Sequence, residues 1–256
     1  MSSQKISIVV PAFNEAKNIT ACLRTLKNQD YTGEVEIIVV DNNSTDNTGD
    51  LARAEGVTVL FEATPGVIPA REKGAQAATG SIIIQTDADT TFPPTWLSNI
   101  MRAFDNEPTA VAVIGSFQFD GGPWWGKPFT KILFGVTNIV HKLTNRLIYM
   151  PGANTAFKKE IWHGYNTKLD QGGDEIALLK ELRKEGKIIF LRRNTVLTSP
   201  RRLSKGLLYN IFVILIFYYI FDYTYRRLTG KSLAHFPAIR HDEQGKEKTI
   251  SHSAQS

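Results

Sequence analysis

The chain has 256 residues, of which 42% are hydrophobic and 21% charged, a composition typical of one large or two small globular domains. Its single cysteine excludes a disulfide framework and any cysteine-based metal cluster, and its five histidines show no metal-ligand spacing. The net charge of +5 is local, because residues 192–231 carry eight Lys or Arg and one Asp, whereas residues 1–191 carry 19 basic and 21 acidic side chains. This distribution does not predict a general nucleic-acid-binding face.

The first 90 residues alternate between apolar strand patterns and amphipathic helix patterns. Strands are predicted in KISIVVPAF, EVEIIVVD, VTVLFE and SIIIQTDAD. Helices are predicted in NEAKNITACLRTLKNQ, STDNTGDLARAEG and PGVIPAREKGAQAATG. Cys22 falls on the apolar face of the first helix, so we expect it in the core. Val and Ile runs separated by helices are typical of a parallel sheet with helices on both faces.

The second half of the chain is less regular. The pattern predicts a helix in PFTKILFGVTNIVHKLTNRLI, a loop leading into a helix in YMPGANTAFKKEIW, and a helix beginning near Asp174 in DQGGDEIALLKELRKEGK. Two short strands are predicted in IIFL and TVLTSP, and the tail, 232–256, is polar and predicted to be disordered. The first residues show no signal-peptide pattern, so we expect a reducing, cytoplasmic setting.

Acidic side chains follow three of the predicted strands. The first strand leads into PAFNE with Glu15, the second ends at Asp41, and the fourth ends at Asp87 and Asp89. In open parallel sheets, ligands bind beyond the carboxyl ends of the strands. If the fourth strand continued through Asp89, its carboxylate and that of Asp87 would point to the same side and repel each other. Either a ligand compensates this repulsion, or the two are ordinary turn residues.

Five segments together resemble the inverting family 2 glycosyltransferases in order and spacing: SIVVPAFNEAKNI, EIIVVDNNSTDNT, GVIPAREKGAQAATG, TDAD and GGDE. The resemblance covers roughly residues 5–200. It implies the α/β GT-A fold, with a mostly parallel central sheet and helices on both faces. It also implies that residues 1–90 bind a nucleotide and residues 91–200 bind the acceptor of a sugar.

In that family the Asp-x-Asp motif binds a divalent cation and the diphosphate of a nucleotide sugar. The resemblance therefore implies that Asp87 and Asp89 bind Mg²⁺ or Mn²⁺, since such cations prefer carboxylate and phosphate oxygens. It implies a donor of the UDP or GDP type, bound by Pro11, Ala12, Phe13, Glu15, Asp41, Arg71, Asp87, Ala88, Asn154, Arg201 and Arg202. Phe13 stands where the family more often has Tyr, so it retains stacking and lacks the hydroxyl. Ordinary alternatives are a turn role for Asp41 and a solvated helix face for Arg71.

Asp174 resembles the catalytic base of the family. That base usually follows a Glu, whereas Gly173 precedes Asp174 here, so Glu175 is the alternative acid. An Asp that opens a helix is also an ordinary N-cap residue. The sequence leaves these three interpretations open.

The segment after the candidate base departs from one branch of the family. Processive members carry Gln-x-x-Arg-Trp there, whereas this chain has TSPRRL. The resemblance therefore implies a non-processive enzyme similar to polyprenyl-phosphate sugar transferases, with Arg201 and Arg202 contacting a diphosphate or lipid phosphate. These arginines could instead be surface basic residues. The rival hypothesis is a membrane-associated nucleotide-sugar-binding or scaffold protein without catalysis.

Residues 206–221 form an uncharged, mostly apolar run between Lys205 and Asp222. As a helix this run would reach about 24 Å, short of the ~30 Å bilayer core. We expect this run to form an interfacial or re-entrant helix at the inner face of the cell membrane, within a segment, residues 201–231, whose basic side chains are attracted to anionic lipid. The alternatives are a core helix, a homodimer interface and a simple crossing.

Overall fold

The computed structural model describes residues 4–167, 173–209, 240–241 and 247–248. Eight strands form the main sheet: β1 (Ile6–Ala12), β2 (Val35–Asp41), β3 (Thr58–Phe61), β4 (Ile82–Gln85), β5 (Thr90–Thr91), β6 (Ala110–Phe119), β7 (Thr155–Lys158) and β8 (Lys187–Thr198). Six helices pack around it: α1 (Ile19–Lys27), α2 (Thr48–Ala54), α3 (Val67–Ala77), α4 (Trp96–Asn106), α5 (Gly126–Thr144) and α6 (Gly173–Glu185). The strand order is β3-β2-β1-β4-β7-β6-β8-β5.

The first four strands pair in parallel, as the sequence predicts. Ala12 of β1 is level with Asp41 of β2, and Val9 is level with Gln85 of β4, so the carboxyl ends of these strands form one edge. Helix α3 lies so close to β1 that a Cβ on Gly74 would clash with Val9. This close packing sets the distance of α3 from the acidic edge.

The sheet is mixed where the second half of the chain enters it. Strand β7 lies antiparallel between β4 and β6, and β5 lies antiparallel to β8 at the margin. The remaining six strands run in one direction. The predicted loop in YMPGANTAFKKEIW is therefore wrong, because a central strand of only four residues follows its Gly and Pro signals. The two short strands predicted near the end are one strand, β8, with an irregularity opposite Gly115 and Ser116.

Two hydrophobic cores cover the two faces of the sheet. One contains apolar residues of α1, α2 and α4, including Cys22, which is completely buried as predicted. The other contains residues of α3 and α6. Helices on both faces and a mostly parallel sheet agree with the predicted fold class.

Near the end of the chain, β9 (Arg240–His241) pairs antiparallel with β10 (Glu247–Lys248). The predicted interfacial helix, residues 206–221, lies mostly outside the described residues. Within the described part of the chain, no helix is long and apolar enough to cross a bilayer.

Candidate functional site

The loops that follow β1 and β2 are bound to each other. Asn14 adopts a left-handed backbone with φ of 53°, and its Oδ1 accepts from the Thr45 backbone N–H at 2.7 Å. The backbone N–H of Glu15 donates to Thr48 Oγ1 at 2.8 Å. These bonds fix the edge at which Pro11 and Ala12 are buried and Phe13 is half-buried.

Asp41 ends β2 at the same edge of the sheet and is half-buried. Its Oδ1 accepts a hydrogen bond from the Ser44 backbone N–H at 3.0 Å. Its Oδ2 faces α2, where a Cβ on Gly49 would lie only 2.7 Å away. The structure therefore gives Asp41 the turn contact that the sequence offered as an alternative role. A contact with a base remains a prediction.

Asp87, Ala88 and Asp89 form a turn rather than an extension of β4. The strand ends at Gln85, and the backbone N–H of Thr90 donates to the carbonyl of Asp87 at 3.2 Å. The two carboxylates consequently contact different arginines instead of lying side by side as a continued strand would place them. Asp87 Oδ1 lies 3.3 Å from Arg71 Nη2, and Asp89 Oδ2 lies 2.8 Å from Arg201 Nη2.

The Arg71 cluster consists of Arg71, Asp87, Asp174 and Glu175. Arg71 Nη1 donates to Asp174 Oδ2 at 2.5 Å and lies 3.7 Å from Glu175 Oε1. The side chains of Arg71 and Asp174 are only 4% and 1% exposed. Burial opposes charge on Arg71, but the surrounding carboxylates outweigh it and raise the pKa of the guanidinium. The cluster is thus a buried, charged network and not a solvated helix face.

Glu175 has a different environment from its neighbour in the Arg71 cluster. Its side chain is 17% exposed, and its Oε1 accepts from the backbone N–H of Gly152 at 3.1 Å. Burial raises the pKa of Glu175 to about 7, against the opposing effect of Arg71. The backbone at Gly152 comes so close that a Cβ there would clash with Arg71 and Glu175. Glycine is therefore required for this contact.

The Arg201 cluster consists of Arg201, Glu15, Asp89 and Thr198. Arg201 Nη2 bridges Glu15 Oε1 and Asp89 Oδ2, and Thr198 Oγ1 donates to Asp89 Oδ1 at 3.2 Å. Burial raises the pKa values of both Glu15 and Asp89, although Arg201 opposes the rise. Arg201 lies in a short 3-10 turn, Pro200–Leu203. The backbone N–H of Ser199, just before this turn, donates to the carbonyl of Asp89 at 3.2 Å and so holds the turn against the Asp89 loop.

A family model matches more than half of the chain. The model of the family described as "Glycosyl transferase family 2" matches residues 7–164. The chain belongs to glycosyl transferase family 2.

Individual relatives agree with the family assignment. The chain is 30% identical over 139 residues to the uncharacterized glycosyltransferase YibD of Escherichia coli K12, covering 51% of this chain and 40% of that protein. It is 27% identical over 139 residues to an undecaprenyl-phosphate 4-deoxy-4-formamido-L-arabinose transferase of Serratia proteamaculans, covering 51% of this chain and 42% of that protein. The chain thus spans less than half the length of these two relatives.

Among solved structures, the chain resembles the mannosyltransferase PcManGT of Pyrobaculum calidifontis, determined in complex with GDP-Man and Mn²⁺. The TM-score is 0.61 at 22% identity, covering 77% of this chain and 57% of that chain. This similarity confirms the mixed α/β sheet of the GT-A fold.

Asn154 of this family 2 chain does not contact either arginine cluster. Its Nδ2 donates to the carbonyls of Ser116 and Asn194, both at 2.8 Å, and its Oδ1 accepts from Trp96 Nε1 at 2.9 Å. These bonds connect β6, β8 and α4, which gives Asn154 a structural role in the sheet. Its predicted place, in the loop below the donor sugar and near the acceptor, remains a prediction.

Sequence reasoning missed a polar contact beside the Arg71 cluster. Tyr165 donates its hydroxyl to Gln85 Oε1 at 2.6 Å, and its backbone N–H donates to Glu72 Oε2 at 2.6 Å. Burial raises the pKa of Tyr165 against the effect of Arg71. One signal of this contact was present in the sequence, namely that the apolar run IIIQ ends in a polar residue, Gln85. Tyr165 follows no motif, so only the fold brings it to the site.

The candidate metal ligands fit a cation that shares its coordination with a substrate. No group of three His, Cys, Asp or Glu in the described residues could hold a metal ion without another ligand. Asp87 and Asp89 offer carboxylate oxygens, which suit Mg²⁺ or Mn²⁺ when phosphate oxygens complete the site. Because one oxygen of each carboxylate already contacts an arginine, bound metal would compete with Arg71 or Arg201 or use the remaining oxygens.

Proposed function

We propose that the protein is a non-processive, inverting, metal-dependent glycosyltransferase that moves a sugar from a nucleoside-diphosphate sugar to an acceptor. The observation that carries the proposal is the meeting of Asp87, Asp89 and Asp174 with Arg71 and Arg201 at the carboxyl edge of the parallel strands. This edge is where ligands bind in open α/β sheets. Membership of family 2 supports the same reaction class.

Charges of both signs in this cluster suit a diphosphate donor. Arg71 and Arg201 supply guanidinium groups, which bind phosphates in bidentate geometry. Arg71 Nε has no hydrogen-bond partner among the described residues, so one buried donor remains for a ligand. A divalent cation bound at Asp87 and Asp89 would neutralise charge on the leaving nucleoside diphosphate. On the same edge, Pro11, Ala12, Phe13 and Asp41 would line the nucleoside pocket.

The acceptor would be activated from the Arg71 cluster. For a hydroxyl acceptor we assign proton removal to Asp174, with Glu175 as the alternative, because both carboxylates begin α6 beside the donor edge. Attack on the anomeric carbon from the side opposite the diphosphate inverts its configuration. A phosphate acceptor would need no base.

We propose a polyprenyl phosphate or another lipid-linked molecule as the acceptor. The transferase of Serratia proteamaculans is named for an undecaprenyl-phosphate substrate, and TSPRRL stands where processive members carry their motif. Arg202 is exposed beside Arg201, in a suitable place to contact a lipid phosphate. The enzyme would then work at the inner face of the cell membrane, as a monomer or a homodimer.

The test is a panel of UDP-, GDP- and dTDP-sugars with Mn²⁺, measured as thermal shift and nucleotide release. Asp89→Ala should abolish transfer and metal-dependent nucleotide binding. Asp50→Ala, which removes a carboxylate from a surface ion pair with Arg53, is the matched control and should behave as wild type. Full activity in EDTA would refute the metal assignment. Nucleotide binding without hydrolysis or transfer on any acceptor would favour the binding or scaffold protein.

The stereochemical part of the proposal has its own test. The product of the preferred donor should carry the inverted anomeric configuration, which the anomeric proton coupling in an NMR spectrum reports. A retained configuration would refute the in-line mechanism while leaving donor binding intact.

A further inference from the structure

Helix α5 buries one face and exposes apolar side chains on the other. Its buried residues include Thr130, Phe134 and Thr137, on the face that packs against β6 and β8. The opposite face carries four apolar residues that are 48–80% exposed: Ile132, Val136, Ile139 and Leu143. At about 100° of rotation per residue, these four lie within roughly 60° of one another. We refer to them as the apolar stripe.

The surroundings of the apolar stripe are basic. Residues 121–159 contain six Lys or Arg and no Asp or Glu. Lys131 and Lys142 are exposed about 80–100° around the helix from the stripe. Arg192 and Arg193 are exposed on the irregular part of β8, and Arg192 Nη2 would lie 3.9 Å from a Cβ on Gly135 of α5. The positive charge therefore comes from two elements that pack together.

An exposed aromatic residue marks the N-terminal end of this surface. Trp124 is 85% exposed two residues before α5 begins. Indole rings favour the boundary between water and lipid, because they combine an apolar body with a polar N–H. A surface helix of a soluble domain normally turns polar residues outward. An outward apolar stripe flanked by lysines and preceded by Trp is instead the pattern of a helix lying in a membrane interface.

Charge complementarity decides between the possible occupants of the apolar stripe. A second copy related by two-fold symmetry would bring the same basic surface against itself, and the repulsion would oppose a dimer. For the uncharged run 206–221 of this chain, the basic residues that flank it on both sides would meet the same repulsion. An anionic lipid surface supplies both an apolar layer and negative headgroups.

We propose that α5 is a docking surface for an anionic lipid membrane, with the apolar stripe at the acyl boundary and Lys131, Lys142 and Arg192 at the headgroups. This surface consists of residues outside the predicted segment 206–221. Its N-terminal end adjoins the turn that carries Arg201: a Cβ on Gly126 would lie 2.7 Å from Leu203 Cδ1. The Arg201 turn therefore contacts the N-terminal end of the helix that docks.

The experiment is flotation of the full-length protein with vesicles of phosphatidylcholine alone or mixed with phosphatidylglycerol. Wild type should float with the anionic vesicles and dissociate in high salt. Ile132→Gln combined with Ile139→Gln should lower the partition coefficient at least about tenfold, because two apolar side chains no longer enter the interface. The matched control is Thr32→Gln combined with Ala54→Gln, two exposed positions on other elements, which should float as wild type.

A second pair of variants tests the electrostatic half of the proposal. Lys131→Gln combined with Lys142→Gln should weaken binding about fivefold for each lysine removed, and only on anionic vesicles. Thermal melting checks that each variant is folded. If the double Ile variant does not fold, Leu143→Gln, at the most exposed position of the stripe, replaces it in the flotation test. Unchanged flotation of the Ile and Leu variants would overturn the proposal. So would a dimer, seen by light scattering, that the Ile substitutions dissociate while vesicle binding stays unchanged.

Discussion

Arg71 and Arg201 neutralise carboxylates on the same sheet edge, but the fold holds them in different ways. Arg71 lies in a helix packed against β1, is 4% exposed and contacts carboxylates from two other elements. Arg201 lies in a short turn after β8, is 34% exposed and contacts Glu15 and Asp89. The Arg71 cluster is therefore a fixed part of the scaffold, whereas the Arg201 cluster is placed where a ligand could displace its arginine.

This difference explains how one short turn can carry two aspartates. The repulsion between Asp87 and Asp89 is offset because each carboxylate contacts its own guanidinium. Removal of one partner from a buried ion pair is costly, because it leaves an uncompensated charge away from water. Removal of Arg201 also leaves two buried carboxylates, Glu15 and Asp89, but burial already raises their pKa values, so they can take up a proton instead of remaining charged. The two arginines should thus differ sharply on substitution.

The largest effect is expected for Arg71→Gln. It leaves Asp174, with its 1% exposed side chain, without its cation and should lower the free energy of unfolding by about 3–5 kcal/mol. Arg201→Gln is the matched change in the Arg201 cluster and should cost less, because Glu15 and Asp89 can be protonated once the arginine is removed. Urea unfolding of both variants measures the difference. Equal losses would mean that the two clusters do not differ in the way their burial indicates.

The next largest effect concerns proton removal. Asp174→Asn should lower turnover ~10²–10⁴-fold while donor binding is kept, because loss of a general base typically costs that much. This corresponds to about 3–5 kcal/mol of barrier. Single-turnover kinetics with the preferred hydroxyl acceptor measures it. If Asp174→Asn keeps its turnover and Glu175→Gln loses it, the role belongs to Glu175, and a loss in neither variant removes the acid-base proposal.

A smaller effect follows from the pKa of Glu175, which burial raises to about 7. The folded state therefore holds a proton that the unfolded state releases near pH 4.3, and its stabilising effect is lost as pH rises through 7. Glu175→Gln cannot titrate, so its stability relative to wild type should rise by about 2–3 kcal/mol between pH 5 and pH 8, most of it below pH 7. Melting curves across this range measure the change. A constant difference would show that Glu175 titrates normally.

The first half of the fold was predictable because its signals are local. Runs such as IVV in β1 and IIVV in β2, separated by amphipathic helices, determine a parallel sheet and hence a common edge for Glu15, Asp41 and Asp87. The second half was less predictable, because β7 has only four residues and its pairing with β4 and β6 joins distant parts of the chain. No local pattern carries that information.

The candidate site shows the same limit. The sequence motifs identified the acids, but they did not indicate that Arg71 would contact three of them or that Arg201 would reach Glu15 across 186 residues of chain. Asn154 shows the converse, since a residue in a recognisable motif makes its hydrogen bonds inside the sheet. Motifs indicate the chemical types present, whereas tertiary packing decides which side chains meet.

The smallest effect is expected for Thr198→Val, a nearly isosteric change in the Arg201 cluster. Thr198 Oγ1 donates to Asp89 Oδ1 at 3.2 Å, and its backbone pairs with Thr90, which valine preserves. Loss of this hydrogen bond, which is long for a charged acceptor, should cost about 1.5 kcal/mol, and it should change Mn²⁺ affinity only a few-fold. Titration calorimetry with Mn²⁺ and a nucleoside diphosphate measures the affinity, and Thr195→Val, a change on the same strand away from Asp89, is the control.

Arg201 still contacts Asp89 in Thr198→Val. A loss of stability in Thr198→Val as large as that of Arg71→Gln would therefore mean that the Arg201 cluster is as rigidly held as the Arg71 cluster. An unchanged affinity in Thr198→Val together with a tighter one in Arg201→Gln would instead show that the arginine, and not the threonine, competes with the cation.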